Sequence, residues 1–511
     1  MKNYKPSFLL FAFLLFQTIS FCQDDYQFNE IKKGEKIKLG KKEILNSEIQ
    51  VNENGYYLIS KKVNSQIGLI KDDLKIYHFD ENLNKKSSQK IKLNEGIKKR
   101  KFEYFVSLKG QLFLFSSAKK NQKQLYYQVV NPSTLEFGSL EKIQELDFLG
   151  KLEKNGIFEF SISPDESKVL IYQNENLKNG KFRTMLSVFD SEMNSIWQKK
   201  EEIEKGKHDG LDWSQMVVDN RGNVFGLLKN YDTPKGIIIR SNFLAVNFEL
   251  YSYLENGEKK TVQNIDDKNK EISDLGIFVE AEGQLSILGF YSDEFPEATE
   301  GIVKIILNSE NQIEDSKTSF KKFSKQLIPS YEKDRDKDLM SKYSLVSINK
   351  KENGNFVIVG DQLSISDLVD GEPSVSSTFY YRNILTSEIK MDGEIVWEYK
   401  IPKYDYSTSE ILSRFFMHDY KENSYLFYID HPINLKITES KKAKSPFVKR
   451  QIIMSKINGE GKLIKNPFFP ERKAKNQFIY PRGCKKISED KVLLVLADKF
   501  QDIYLVMYGI N

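Results

Sequence analysis

Residues 158–173, FEFSISPDESKVLIYQ, constrain this chain most, because their pattern returns along nearly its whole length. Phe158, Phe160 and Ile162 alternate with polar residues, a proline and acidic stretch follows, and 169–172 are apolar. Period-two alternation, turn chemistry and a second apolar run read as two antiparallel strands with a tight loop. Comparable hairpins occupy 44–60, 102–117, 214–229, 275–290, 343–360, 415–430 and 481–497. Their second strands start near Tyr56, Gln111, Lys168, Asn223, Gln284, Asn355, Ser424 and Lys491, so the repeat advances by 55, 57, 55, 61, 71, 69 and 67 residues.

A third apolar run follows each hairpin, as in LKIYHF at 74–79 and IYLVMYG at 503–509, and most lead to a more polar fourth strand such as MDGEIVWEYKIP at 391–402. Four strands per unit at this period predict an all-β chain, a β-propeller of four-stranded antiparallel blades around a central channel. SISPDESKVLIY resembles the turn of WD40-like propellers, including the TolB type, and VDNRGNVFGLL is similar to other propeller repeats. The resemblance covers nearly all of the chain after its first segment and implies a fold shared with exported bacterial propellers.

That first segment is MKNYKPSFLLFAFLLFQTISFCQ, with Lys2 and Lys5 ahead of an unbroken apolar run at 8–16. It reads as a secretory signal over 1–22, with Ser20 and Cys22 at the small-residue positions of a cleavage site and Gln23 as the new N-terminus. The run is shorter than the roughly 18 residues a membrane span needs, so no transmembrane segment is expected in the mature chain. Lipid attachment at Cys22 is the alternative to simple cleavage. Residues 23–511 form one domain, exported to the periplasm or the medium. Cys484 is then the single cysteine left, and stability must come from packing rather than a disulfide.

The chain's ends predict how the ring closes. The eighth unit stops after three strands at Asn511, while GEKIKLG at 34–40 is a spare strand resembling SQKIKLN at 88–94. Pairing them would cap an exposed edge, so eight blades are expected, closed by the N-terminal strand; seven blades plus an accessory sheet is the alternative. Second-to-third strand connections and blade-to-blade connections open on one face, and units five to seven lengthen both. The segments 291–300, 328–342, 361–377, 402–407 and 430–450 are read as long loops on that face.

Net charge is +5 from 77 basic and 72 acidic residues, a mixed surface that does not point to nucleic acid. The basic runs at 98–101 and 441–450 read as solvated loops. No pair among the four histidines has zinc-ligand spacing, and there is no GxSxG elbow, GxxxxGK[ST] loop or GxGxxG turn. Asp334, Asp336 and Asp338 alternate like the first calcium-loop ligands, but Leu339 and Leu345 stand where Gly and Glu are required. No cofactor or metal is therefore expected.

Two places remain as candidate ligand sites. KHDGLDWS at 207–214 groups His208, Asp209, Asp212 and Trp213 at the entry to the fourth unit, with Asp147 and Asp274 at neighbouring entries. Its alternative is a capping turn with Trp213 packed between blades. PKYDYS supplies Tyr404 and Tyr406 as aromatic contacts. The sequence thus points to a non-enzymatic binding or scaffold propeller that recognises a protein or glycan partner through its long-loop face. The competing class is a carbohydrate-active hydrolase or lyase using channel-mouth carboxylates, which needs two such groups flanking one bond. Oligomeric state is left open.

Overall fold

The computed structural model describes residues 28–510 apart from 41–42, 63–73, 94–96, 98–99, 120–122, 147–157, 178–179, 206–209, 233–243, 266–269, 282, 294–297, 315–317, 328–341, 370–371, 408–413, 438–440, 445–448, 470–476 and 499–501. The described strands assemble into eight antiparallel sheets, each ordered from an inner to an outer strand. Blade three is the plain case: Phe158–Ile162, Lys168–Asn176, Lys181–Asp190 and Ser195–Glu204, paired in chain order. Its 163–168 turn forms as the sequence implies. Glu166 N donates to Ser163 O at 2.9 Å with Glu166 in the left-handed region at φ 59°, and Asp165 Oδ1 accepts from Ser167 N at 3.0 Å.

Strand composition follows position in the blade. Second strands have both faces covered and are mostly apolar, as in Leu285–Ser292, which is buried throughout. Outer strands such as Lys259–Ile265 are largely exposed or half-buried, with only Ile265 fully buried. The core is correspondingly a set of layers between blades rather than one centre. Tyr57, Leu74 and Ile76 of blade one meet Phe105, Leu112 and Leu114 of blade two, and similar clusters follow around the ring. The largest spans blades seven, eight and one.

Blade eight shows how the ring closes. Its strands are Gln477–Ile479 with Lys485–Ser488, then Lys491–Asp498, Asp502–Ile510 and finally the N-terminal Phe28–Lys33. Closure by the N-terminal strand and eight blades are as expected, and the seven-blade alternative falls. The closing strand itself starts earlier than the expected 34–40. Phe28 pairs with Ile510 and Lys33 with Val506, Gly34 N donates to Leu505 O at 2.9 Å, and Ile37–Lys38 pairs with Ile503 and Asp502. Phe28 explains the earlier start, since its ring packs edge-on against Tyr425 at 5.0 Å and Phe427 at 5.4 Å, in blade seven.

Blade six carries the second departure. The stretch 361–377, read as a loop, continues the sheet: Phe356–Val369 and Glu372–Ile389 stay paired up to Val369 with Glu372. These strands of 14 and 18 residues far outrun the 8 of Asn423–Asp430. Its sequence alternates around Asp370-Gly371, a two-residue hairpin signal. Asp405–Ser407, also read as loop, pairs with Phe379–Tyr381 and widens this extension. The connection after Asp430 opens with a short 3-10 helix, Pro432–Lys436. Most of 328–342 lies outside the described residues, as do Asp334, Asp336 and Asp338. Among the described residues no helix is long and apolar enough to cross a membrane.

Candidate functional site

Inner strands begin on the face where blade-to-blade connections open, so their first residues surround one mouth of the channel. Glu159 sits second in Phe158–Ile162, Asp212 third in Gly210–Val218 and Asp274 fourth in Glu271–Val279. Glu159 and Asp212 are open to water, yet burial in the surrounding protein pushes both carboxyls up, as expected for groups facing an enclosed channel rather than bulk solvent. The charge of Asp212 adds to the rise at Glu159, which accepts from Tyr172 Oη at 2.8 Å. Burial also raises Asp274, whose Oδ2 accepts from Leu345 N at 2.9 Å. Lys229, opposite Asp212 in the ladder, pulls both Asp212 and Asp274 back.

Asp212 and Asp274 thus share Lys229, and Glu159 joins them from the neighbouring blade. His208, Asp209 and Asp147 lie outside the described residues. Trp213 is 5% exposed, its Nε1 donates to Thr184 Oγ1 at 2.7 Å, and its ring stands edge-on to Tyr251 at 5.2 Å. That ring is taken up by packing between blades three and four. Gly226 makes room for it, since a Cβ there would come within 2.8 Å of the indole. Three of the four histidines are described, and each has a hydrogen bond to a backbone group. His78 Nε2 lies 2.9 Å from Asn54 O, His418 Nε2 lies 2.8 Å from Glu489 O, and His431 Nδ1 accepts from Ile433 N at the helix start. Among the described residues no group of three or more His, Cys, Asp or Glu is placed to hold a metal ion.

The second candidate lies on the same face, where blade six extends beside blade seven. Strand alternation in Asp405–Ser407 turns Asp405 inward, 3% exposed, and leaves the flanking Tyr404 and Tyr406 half-buried. The exposed Arg382 places its guanidinium 5.6 Å from the Tyr404 ring centre, and Arg450 lies 5.7 Å from that of Tyr406. Tyr380, directly across the ladder, is 6.1 Å from the Tyr406 ring. Arg450 also reaches Asp405 at 3.9 Å. The result is a surface of tyrosine rings and guanidinium groups held on strands or one residue from a strand end.

The acidic residues of the 291–300 segment are less available than their sequence implies. Lys322 binds Asp293 at 2.8 Å and Glu300 at 3.0 Å, and Lys270 also pairs with Asp293. Glu294 and Glu297 lie outside the described residues. On the blade-seven side, Lys441, Lys442, Lys444 and Lys449 are exposed, as a solvated basic run requires.

No family model matches the chain, and no curated protein matches its sequence. Among solved structures it is similar to the Dos1 propeller, at 11% identity and a TM-score of 0.46, over 94% of this chain and 95% of that one. It is also similar to the WD40 domain of SCAP from fission yeast, at 10% identity and a TM-score of 0.38, over 96% of each chain. The europium-containing methanol dehydrogenase gives 9% identity and a TM-score of 0.45, over 95% and 94% of the two chains. The chain is a β-propeller. These likenesses concern the propeller ring alone.

Proposed function

We propose that this propeller is a binding module whose blade-six and blade-seven face recognises a protein partner or a glycan. One observation carries the reading. The blade-six strands continue well past the length that the blade requires, and the extension presents Tyr404, Tyr406, Tyr380 and Arg382 beside Arg450 of blade seven. Tyrosine and arginine dominate the energetic centres of interfaces, because each offers a large contact area and directed hydrogen bonds. Strand support removes much of the ordering cost that a loop would meet on binding.

The test compares capture of envelope components and binding to a glycan array by the native chain and by Arg382→Glu and Tyr406→Ala. Both side chains are at least partly exposed, so unfolding midpoints should stay close to native. Capture should weaken by about thirtyfold or more, the loss of one interface hot spot of roughly 2 kcal/mol. Specific capture of a protein or of a glycan distinguishes the two partner classes. Full-strength capture by both variants, with loss on Glu159→Gln or Asp212→Asn, would move the site to the channel and favour carbohydrate chemistry there.

A further inference from the structure

Beneath the tyrosines the floor of this face is charged and sealed. Lys403, Asp405, Asp430 and Asn434 are 2%, 3%, 0% and 1% exposed. Charges so placed are costly unless paired and hydrogen-bonded, so their arrangement determines how firmly the overlying segments are held. Asp430 is the junction. Its Oδ1 accepts from Asn434 Nδ2 at 2.7 Å, His431 N at 2.8 Å and Tyr404 N at 3.4 Å. Its Oδ2 is buried without a hydrogen-bond partner. Asn434 in turn exchanges two hydrogen bonds with the Lys444 backbone, each 2.8 Å. One carboxyl oxygen therefore joins the 402–407 segment leaving blade six to the connection that follows Asp430 in blade seven.

We propose that Asp430 is a proton-dependent latch for this face: with its proton it locks the 402–407 segment to Pro432–Lys436 and Lys444, and as an anion it loosens them. The proposal rests on the binding reading above and adds its regulation. The charged and titratable neighbours on each side are few. From the blade-six segment come Lys403 and Asp405, with Arg450 beside Asp405. Tyr428 lies on the same strand, Gln451 stands directly opposite with its Nε2 unpartnered, and Lys465 binds the Asn434 carbonyl at 3.1 Å. His431 adjoins it, and Lys444 and Lys449 bear on that imidazole.

Burial dominates and pushes the Asp430 carboxyl up to about 7, against the pull of Lys403 and the three donors. Burial, then Lys444 and Lys449, lowers His431 from its ordinary 6.5. Released into water, Asp430 would titrate near its ordinary 3.8. The proton thus stabilises the latched state fully below that value, and the stabilisation is lost as pH rises from there to about 7.

Amide hydrogen exchange on the free chain, corrected for its intrinsic pH dependence, reads the latch directly. Protection at Tyr404, His431 and Lys444 should fall about tenfold between about pH 5 and pH 6 and level off above about pH 8. Asp430→Asn keeps the accepting oxygen and cannot ionise, so protection there should be flat. Ser107, whose amide donates to the neutral Gln50 side chain at 2.9 Å, is the internal control. Flat protection in the native chain, or an equal fall in Asp430→Asn, would overturn the latch. The measurement needs no partner, so failure of the binding reading would leave its result standing.

Discussion

Two ion pairs of equal length show how position sets the worth of a residue. Lys351 and Glu388 meet at 2.5 Å with side chains 0% and 3% exposed, whereas Lys486 and Glu489 meet at 2.5 Å with 47% and 60% exposed. Water and mobility leave the exposed pair worth about 0–1 kcal/mol. The buried pair is enclosed by further bonds: Glu388 accepts from Asn355 Nδ2 at 2.6 Å and Trp397 Nε1 at 2.8 Å, and Lys351 donates to Glu422 O of blade seven at 2.8 Å. Glu388→Gln strands the ammonium and should cost about 3–5 kcal/mol in urea unfolding, against under about 1 kcal/mol for Lys486→Ala. Burial alone would raise the Glu388 carboxyl, but the bonds from Asn355, Lys351 and Trp397 together hold it below its ordinary 4.5. Its contribution is therefore present above that value and lost as pH falls through the depressed range, a slope that Glu388→Gln should remove. At this scale the sequence was least legible. Glu159 is simply the second residue of the founding hairpin, and only the ring brings it beside Asp212. Lys403, Asp405 and Asp430 carry no motif, because their meeting depends on two blades packing.

Among the elements, the closing strand has the clearest energetic role. Phe28 is half-buried and contacts Tyr425, Phe427, Phe468 and Tyr508, binding blade seven as well as blade eight. Phe28→Ala should destabilise by about 2–3 kcal/mol, less than the 3–5 of a fully buried phenylalanine, and should expose the 502–510 edge to protease first. Unchanged urea stability and digestion would show that this anchor does not hold the ring shut. Strands and turns were legible because period-two alternation and turn residues act locally, as at 158–173. The start of the closing strand is hidden because GEKIKLG shows the alternation, while the ring of Phe28 finds its pocket only through contacts some 400 residues away in sequence, from Tyr425 onward. The 361–377 stretch exceeds what a blade needs and so reads as a loop, although its alternation around Asp370-Gly371 marks a ribbon.

For the whole molecule, the rising period of the repeat was the informative signal. Units advancing by 55 to 61 residues build plain blades, and the longer advance of 69 holds the strand extension of blade six. Inter-blade layers carry the stability, while the extension of blade six and the connection of blade seven rise from one side of one face. The direct test of that division of labour is a photoreactive benzoylphenylalanine placed at Arg382 or Lys444, with Glu192 on the opposite, turn-bearing face as control; all three native residues are exposed. Illumination in intact cells should give a discrete adduct of the same mass from the first two positions and none from the third. Adducts of equal yield from Glu192, or none from Arg382 and Lys444 while the native chain still captures its partner, would contradict the assignment of binding to this face.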